Sequence, residues 1–328
     1  MDMPEQTGVY LMPPIWVTDR QSTPMVSGSL HSGSYSLENA AELIAQGPIG
    51  EGVIAHVHRD GLVMFEFPSD HAEFTGDGVD AFPALSARTA LVNAFQAVFH
   101  SGTNQLLEKV PVTHRSLVHG DTGKDEVICY RANEELVRYL YKVPNRKVIG
   151  TALGTWMHVK DAWVVGRNQR RPQDFQLAIE RLAAVYAAGG VGALRRYEVL
   201  LNACAALESR DPDTTVVLAF ALCENAANRM WSGTAERIRS TDRLIPKNLG
   251  KLNITTVTEL LRVTGEMPEP VAAELDEYRI ARNRWAHQME GVPRETAVGC
   301  LGLASRMLAT ADGTSYVVDI RSVSGVAL

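Results

Sequence analysis

Cysteine is scarce in this chain and poorly placed for chemistry. The four residues, Cys129, Cys204, Cys223 and Cys300, form no C-x-x-C pair, which argues against both a zinc knuckle and a disulfide scaffold. They read as buried thiols in a reducing compartment. No apolar run reaches the roughly 18 residues a spanning helix needs, so no membrane segment is expected. A basic leader is missing too, since Met1-Asp2-Met3-Pro4-Glu5 carries acid where a secretory signal needs base. A cytoplasmic protein is therefore expected. Basic residues are almost absent from the first hundred positions, which hold 12 acidic and 3 basic side chains. Such a segment repels nucleic acid, and any phosphate contact is expected from the remainder, whose balance is positive.

The sequence contains enough apolar residue to build full cores: 328 residues, 45% hydrophobic and 21% charged, predict two domains. Val53 to His58, Asp60-Gly61 and Leu62 to Phe67 read as two strands around a tight turn. Thr155 to Val165 repeats the arrangement around Lys160-Asp161. Between them, Ser86 precedes a segment with Leu91, Phe95 and Val98 on one helical face and Gly102 beyond its end, which predicts a capped amphipathic helix. Residues 21–36, rich in Ser, Gly and Thr, read as loop. This half, residues 1–168, is expected to be an α+β domain.

From Pro172 onward the periodicity is helical, and residues 169–328 are expected to form an all-α bundle. Phe175, Ile179, Leu182 and Tyr186 repeat at helical spacing, and Tyr197, Leu200, Leu201 and Cys204 mark a second helix. Asp211-Pro212-Asp213 opens a third, predicted to run to about Trp231. A polar, basic connector is expected next. A fourth helix begins near Pro268 and Pro270 and ends close to Gly291, and a fifth enters at Pro293. Basic residues cluster in Arg167 to Arg171 and between Arg237 and Lys251. Taken singly, each cluster reads as solvated charge.

The fourth helix carries an anomaly. Val271, Leu275, Tyr278, Arg282, Trp285 and Met289 fall on one stripe, and Arg282 interrupts it with a charge that is costly to bury unpartnered. It should therefore face an anion, an acidic side chain or a subunit interface. Asn283 and His287, four apart, share a face, which would let the amide orient the imidazole. Arg282 and His287, five apart, point about 140° away from each other. One straight helix would not converge them on one small group.

Arg282-Asn283-Arg284-Trp285-Ala286-His287 resembles the R-x(4–6)-H signature of the HEPN superfamily, in the version with Asn directly after Arg, on the penultimate helix of a bundle. The run from Glu274 to Glu290 is most similar to the Apea-like HEPN proteins of bacterial defence systems. The resemblance covers roughly residues 170–312. It implies a homodimer through the bundle, with Arg and His of both chains meeting at a composite site that cuts RNA without metal or cofactor. The implied products are a 2',3'-cyclic phosphate and a 5'-hydroxyl. On this reading Arg282, His287 and Asn283 are the catalytic set, with Asn283 positioning His287, and Arg284, Arg229 and Arg279 are candidate substrate contacts. The N-terminal domain would sense a phage or nucleotide trigger. A related branch carries R-x4-H-x-Y, whose tyrosine is adenylylated; position 289 here is Met, which sets this chain apart from that toxin–antitoxin type. The rival from another class is a non-catalytic adaptor that dimerises or binds nucleotide or RNA, since an Arg and a His near a helix C-terminus also serve simply to complement its dipole.

Other signals carry less. His114-Arg115-Ser116-Leu117-Val118-His119 has too short a spacing. Gly120 to Asp125 lacks the span and the Ser/Thr of a phosphate loop. His56-x-His58 lacks an acidic or cysteine companion and reads as a solvated hairpin face. On the third helix, Glu224, Asn225, Asn228 and Arg229 could support a site on a facing helix, but a polar outer face explains them as well.

Overall fold

The computed structural model describes residues 6–10, 15–17, 43–59, 61–75, 81–102, 111, 118–120, 141–143, 146–148, 168–241 and 252–314. The predicted hairpin at 155–165, the loop at 21–36 and the turn at 121–125 lie outside these residues. The chain packs as two compact units, Met1–Arg195 and Arg196–Leu328.

The first unit is α+β. Strands β1 (Gln6–Tyr10), β3 (Leu43–Gly50), β4 (Val53–His58), β5 (Leu62–Glu66) and β6 (Val118–Gly120) form an antiparallel sheet in the order β3-β4-β5-β1-β6. β2 (Ile15–Val17) pairs in parallel with β9 (Asn168–Arg170), and β7 (Tyr141–Val143) pairs with β8 (Arg146–Val148). The expected β4–β5 hairpin is present, with Gly61 at φ +82° supplying the left-handed turn position. Its face is not solvated as expected: His56 and His58 are both buried, because β4 is an inner strand covered on both sides. His56 Nε2 lies 3.0 Å from Glu66 Oε2 on the neighbouring strand.

Helix α1 (Ala81–Gly102) begins five residues before Ser86. Every side chain from Ala87 to Phe99 is buried, so the helix is buried all round rather than amphipathic, consistent with its run of alanines and aromatics. Phe95 meets Phe65 of β5 edge-to-face, and Phe99 stacks near Phe175 at 4.6 Å. Arg88 is fully buried; its Nε donates to the Phe74 carbonyl at 2.7 Å and its Nη1 to Thr7 Oγ1 at 2.9 Å. Burial pushes its guanidinium down to about 10.

Helix α2 (Pro172–Ala187) starts at the predicted proline. Its stripe of Phe175, Ile179, Leu182 and Tyr186 is buried as expected, but the helix packs on β3 and α1. The change of pattern near residue 168 thus marks the onset of helix, and the compact units divide further on, between Arg195 and Arg196. The reason is apolar: α2 has a full stripe to bury, and β3 offers Gly47 as a gap for Ile179.

Helix α3 (Gly190–Glu208) runs through that division. The second unit continues with α4 (Pro212–Thr241), α5 (Ile254–Val263), α6 (Glu269–Gln288) and α7 (Arg294–Asp312). Asp211 caps α4, its carboxylate accepting from the Thr214 amide at 3.0 Å. α4 extends ten residues past Trp231, so the start of the expected connector is helical. α5 occupies its end, capped by Asn253, which accepts from the Thr256 amide at 2.9 Å. The 30-residue α4 is the central element, packed most extensively on α7 and also on α5 and α6. Cys223 and Cys300 are buried on α4 and α7, and Cys204 on α3, as expected of thiols with no exposed role.

Candidate functional site on helix α6

Helix α6 begins after Pro268 and ends with Met289 in the left-handed conformation at φ +54°. Its buried stripe is Ala272, Leu275 and Tyr278. Tyr278 sits over Gly299 of α7, where a Cβ would lie 2.2 Å from the phenol oxygen, so the small residue is what lets the two helices close. Past Tyr278 the stripe opens: Arg282 and Trp285 are half-buried and Met289 is 79% exposed. The apolar register therefore continues to the end of the helix while the core beneath it does not.

Arg282 is directed at α4. Its guanidinium carbon is 5.5 Å from the centroid of the Phe220 ring, and Nη1 donates to Asn283 Oδ1 at 2.9 Å. Among the described residues it pairs with no carboxylate. Asn283 is thereby tied to Arg282, and no hydrogen bond joins it to His287 among the described residues; its expected role in orienting the imidazole gives way to one in holding the guanidinium. The neighbouring donor is nearer than an imidazole a full turn away, and it is charged. His287 is exposed in the last turn, where a cation would also complement the helix dipole.

No family model, no curated protein and no solved structure matches this chain.

The remaining sequence-selected arginines are dispersed. Arg279 pairs with Asp276 on its own helix, Nε to Oδ1 at 2.8 Å, beside a groove of about 300 Å³ between α5 and α6. Arg284 is exposed and lines a different groove, of about 330 Å³, with Ile280, Val292 and Pro293. Arg229 is committed inside the unit: it ion-pairs with Asp312 and donates from Nη2 to the Ala311 carbonyl at 3.2 Å. Arg196 reaches the same Asp312 oxygen at 2.9 Å, and the Asp312 side chain is 0% exposed. Two guanidiniums thus converge on one buried carboxylate where α7 ends. Beside it, burial, reinforced by Asp312, pushes the Tyr197 phenol up to about 12.

Of the six sequence-selected residues, Arg282 and Asn283 hydrogen-bond to each other, and no hydrogen bond or ion pair joins any other two among the described residues. Phe220 and Asp312 are the partners sequence reasoning did not find, because both act across helices distant in the chain. Glu224 is half-buried on α4, Asn225 and Asn228 are exposed, Arg229 is half-buried, and Ser232 bonds back to the Asn228 carbonyl. Among the described residues no group of three His, Cys, Asp or Glu side chains is arranged to hold a metal, and no helix is long and apolar enough to cross a membrane.

Proposed function

We propose that the helical unit is a HEPN-type, metal-independent endoribonuclease of the cytoplasm, acting in anti-phage defence or a stress response. The observation that carries this reading is Arg282: a half-buried guanidinium with no carboxylate among the described residues, steadied by Phe220 and Asn283, five residues before an exposed His287. An arginine lacking a fixed anion can receive one. The two side chains diverge around α6, so the complete site is assembled from two copies of the bundle, each supplying Arg282 and His287.

In that site one His287 takes the proton from a ribose 2'-hydroxyl as the 2'-oxygen attacks the adjacent phosphorus. The second His287 protonates the departing 5'-oxygen as its bond to phosphorus breaks. Arg282 stabilises the extra negative charge on the phosphorane. The products are a 2',3'-cyclic phosphate and a 5'-hydroxyl. Arg284, exposed on the same helix, is the best placed of the remaining arginines to meet RNA, whereas Arg229 is occupied by Asp312. The α+β unit is the sensor for the activating signal.

The test is cleavage of total RNA in EDTA by the full chain, with and without phage infection extracts or nucleotide triggers. His287→Ala is expected to lower cleavage by about 10²-fold or more, and Arg282→Ala by a similar factor. Cleavage that persists in both variants would place the chemistry elsewhere. No cleavage under any condition, in a protein that still dimerises, would make the bundle an adaptor.

A further inference from the structure

In the first unit, three side chains from three separate segments bring one donor atom each to a single point. Glu51 stands at the tip of the β3–β4 hairpin, His71 in the segment after β5, and Tyr186 in the last turn of α2. Tyr186 Oη lies 3.1 Å from Glu51 Oε2 and 3.3 Å from His71 Nε2, and His71 Nε2 lies 3.2 Å from the same Glu51 oxygen. The three atoms make a nearly equilateral triangle.

Hydrogen bonding fills two edges of this triangle. The phenol and an Nε2–H can both donate to Glu51 Oε2, which leaves the Tyr186 oxygen and His71 Nε2 3.3 Å apart with no proton between them. With the Nε2 proton absent, the imidazole lone pair faces a carboxylate. A cation seated above the triangle resolves all three contacts together. Ligands about 2.0–2.1 Å from a zinc ion and at tetrahedral angles to one another lie about 3.3 Å apart, close to the observed edges.

The surroundings hold the triangle in place. The His71 side chain is 7% exposed, its ring against Phe74 at 4.8 Å, and Tyr186 is buried. Glu51 has φ +49°, a left-handed conformation that costs a non-glycine residue energy. The flanking glycines are there because backbone and partners come close: a Cβ at Gly50 would meet the Tyr186 ring at 2.7 Å, and one at Gly52 would meet Pro68 at 2.6 Å. With Gly52 at φ +81° this is the two-residue turn between β3 and β4, and it sets the carboxylate beside a buried His and Tyr. The Glu51 side chain is itself 70% exposed, which leaves the outer side open to a fourth, solvent-derived ligand.

We propose that Glu51, His71 and Tyr186 form a binding site for a divalent transition metal ion of the zinc class, with nitrogen, carboxylate and phenolate ligands and one open position. Binding displaces the phenol proton to solvent as the Tyr186 oxygen bonds the ion. This site stands apart from the proposed ribonuclease chemistry and does not depend on it.

The experiment is a Zn²⁺ titration of the chelator-stripped, desalted full chain by calorimetry, with metal content measured by mass spectrometry and the near-ultraviolet difference spectrum recorded. One zinc per chain and a tyrosinate difference band are expected. Tyr186→Phe, which removes one oxygen and keeps the ring, is expected to abolish the band and weaken binding at least about tenfold. Glu51→Gln and His71→Ala are expected to weaken it by as much or more. Zinc bound below one per chain, or bound by Tyr186→Phe as tightly as by the unaltered protein, overturns the assignment.

Discussion

The guanidinium of Arg282 lies over the ring of Phe220, 5.5 Å from its centroid, and Phe220 is only 1% exposed. The contact joins the candidate helix α6 to the central helix α4 through a cation and an aromatic face. It also explains how a charge is tolerated in an apolar stripe, since the ring's negative face meets the cation without neutralising it. A double-mutant cycle with Arg282→Met and Phe220→Leu, followed by denaturant unfolding, is expected to show a coupling of about 0.5–1 kcal/mol. Additive effects would mean that the ring only fills space.

Asp312, whose side chain is fully buried, holds two half-buried cations. Replacing it by Ala leaves Arg196 and Arg229 facing each other with no anion, and a loss of about 3 kcal/mol or more is expected. Arg229→Ala should cost less, because Arg196 still pairs with the carboxylate at 2.9 Å. Chemical denaturation of the two variants gives the comparison. An Arg229 variant more damaged than the Asp312 variant would contradict it.

The phenols of Tyr197 and Tyr278 are both held up to about 12, in each case chiefly by burial, with Asp312 next for Tyr197 and Glu274 next for Tyr278. Unfolded, a phenol ionises near pH 10. Between about pH 10 and 12 the unfolded chain therefore binds fewer protons than the folded one, and stability falls as pH rises across that window. The stabilisation is complete below pH 10. For Tyr197, which is 1% exposed, the loss is on the order of 2 kcal/mol. Unfolding free energies measured across this range should decline less steeply in Tyr197→Phe than in the unaltered chain; identical slopes would rule out a contribution from this phenol.

Gly8 sits in β1 opposite Met64, in contact with the neighbouring backbone. A Cβ there would fall 2.0 Å from the Val63 carbonyl oxygen and 2.8 Å from the Met64 Cα. Since neither atom belongs to a flexible side chain, β1 would have to separate from β5. Gly8→Ala is expected to destabilise the first unit by about 3 kcal/mol or more, read as an earlier thermal transition. Gly233→Ala, whose Cβ meets nothing within 4 Å, is the control expected to be tolerated.

Much of the fold was legible because local physics dictates it. The β4–β5 hairpin follows from two β-rich runs around Gly61, α4 from the Asp211-Pro212 cap, and α7 from Pro293. The short α5 carried its own signal in Asn253 and in Ile254, Val257 and Leu261, but the basic composition around it favoured a connector reading. The side on which an element is buried was less legible. His56 and His58 alternate as a solvated hairpin face would, yet β4 lies inside the sheet. Asn283 and His287 share a face, yet Asn283 bonds to Arg282.

The sequence by itself determined the order of elements, the caps, the apolar stripes and the anomaly at Arg282, all of which depend on neighbours within a few residues. Only the tertiary structure decided what those stripes meet. It placed α2 on β3, Phe220 under Arg282, Arg229 on Asp312, and Glu51, His71 and Tyr186 around one point. Those pairings join residues 20 to more than 130 positions apart, and no local propensity encodes them; they are fixed by which surfaces fit together once the apolar stripes are buried.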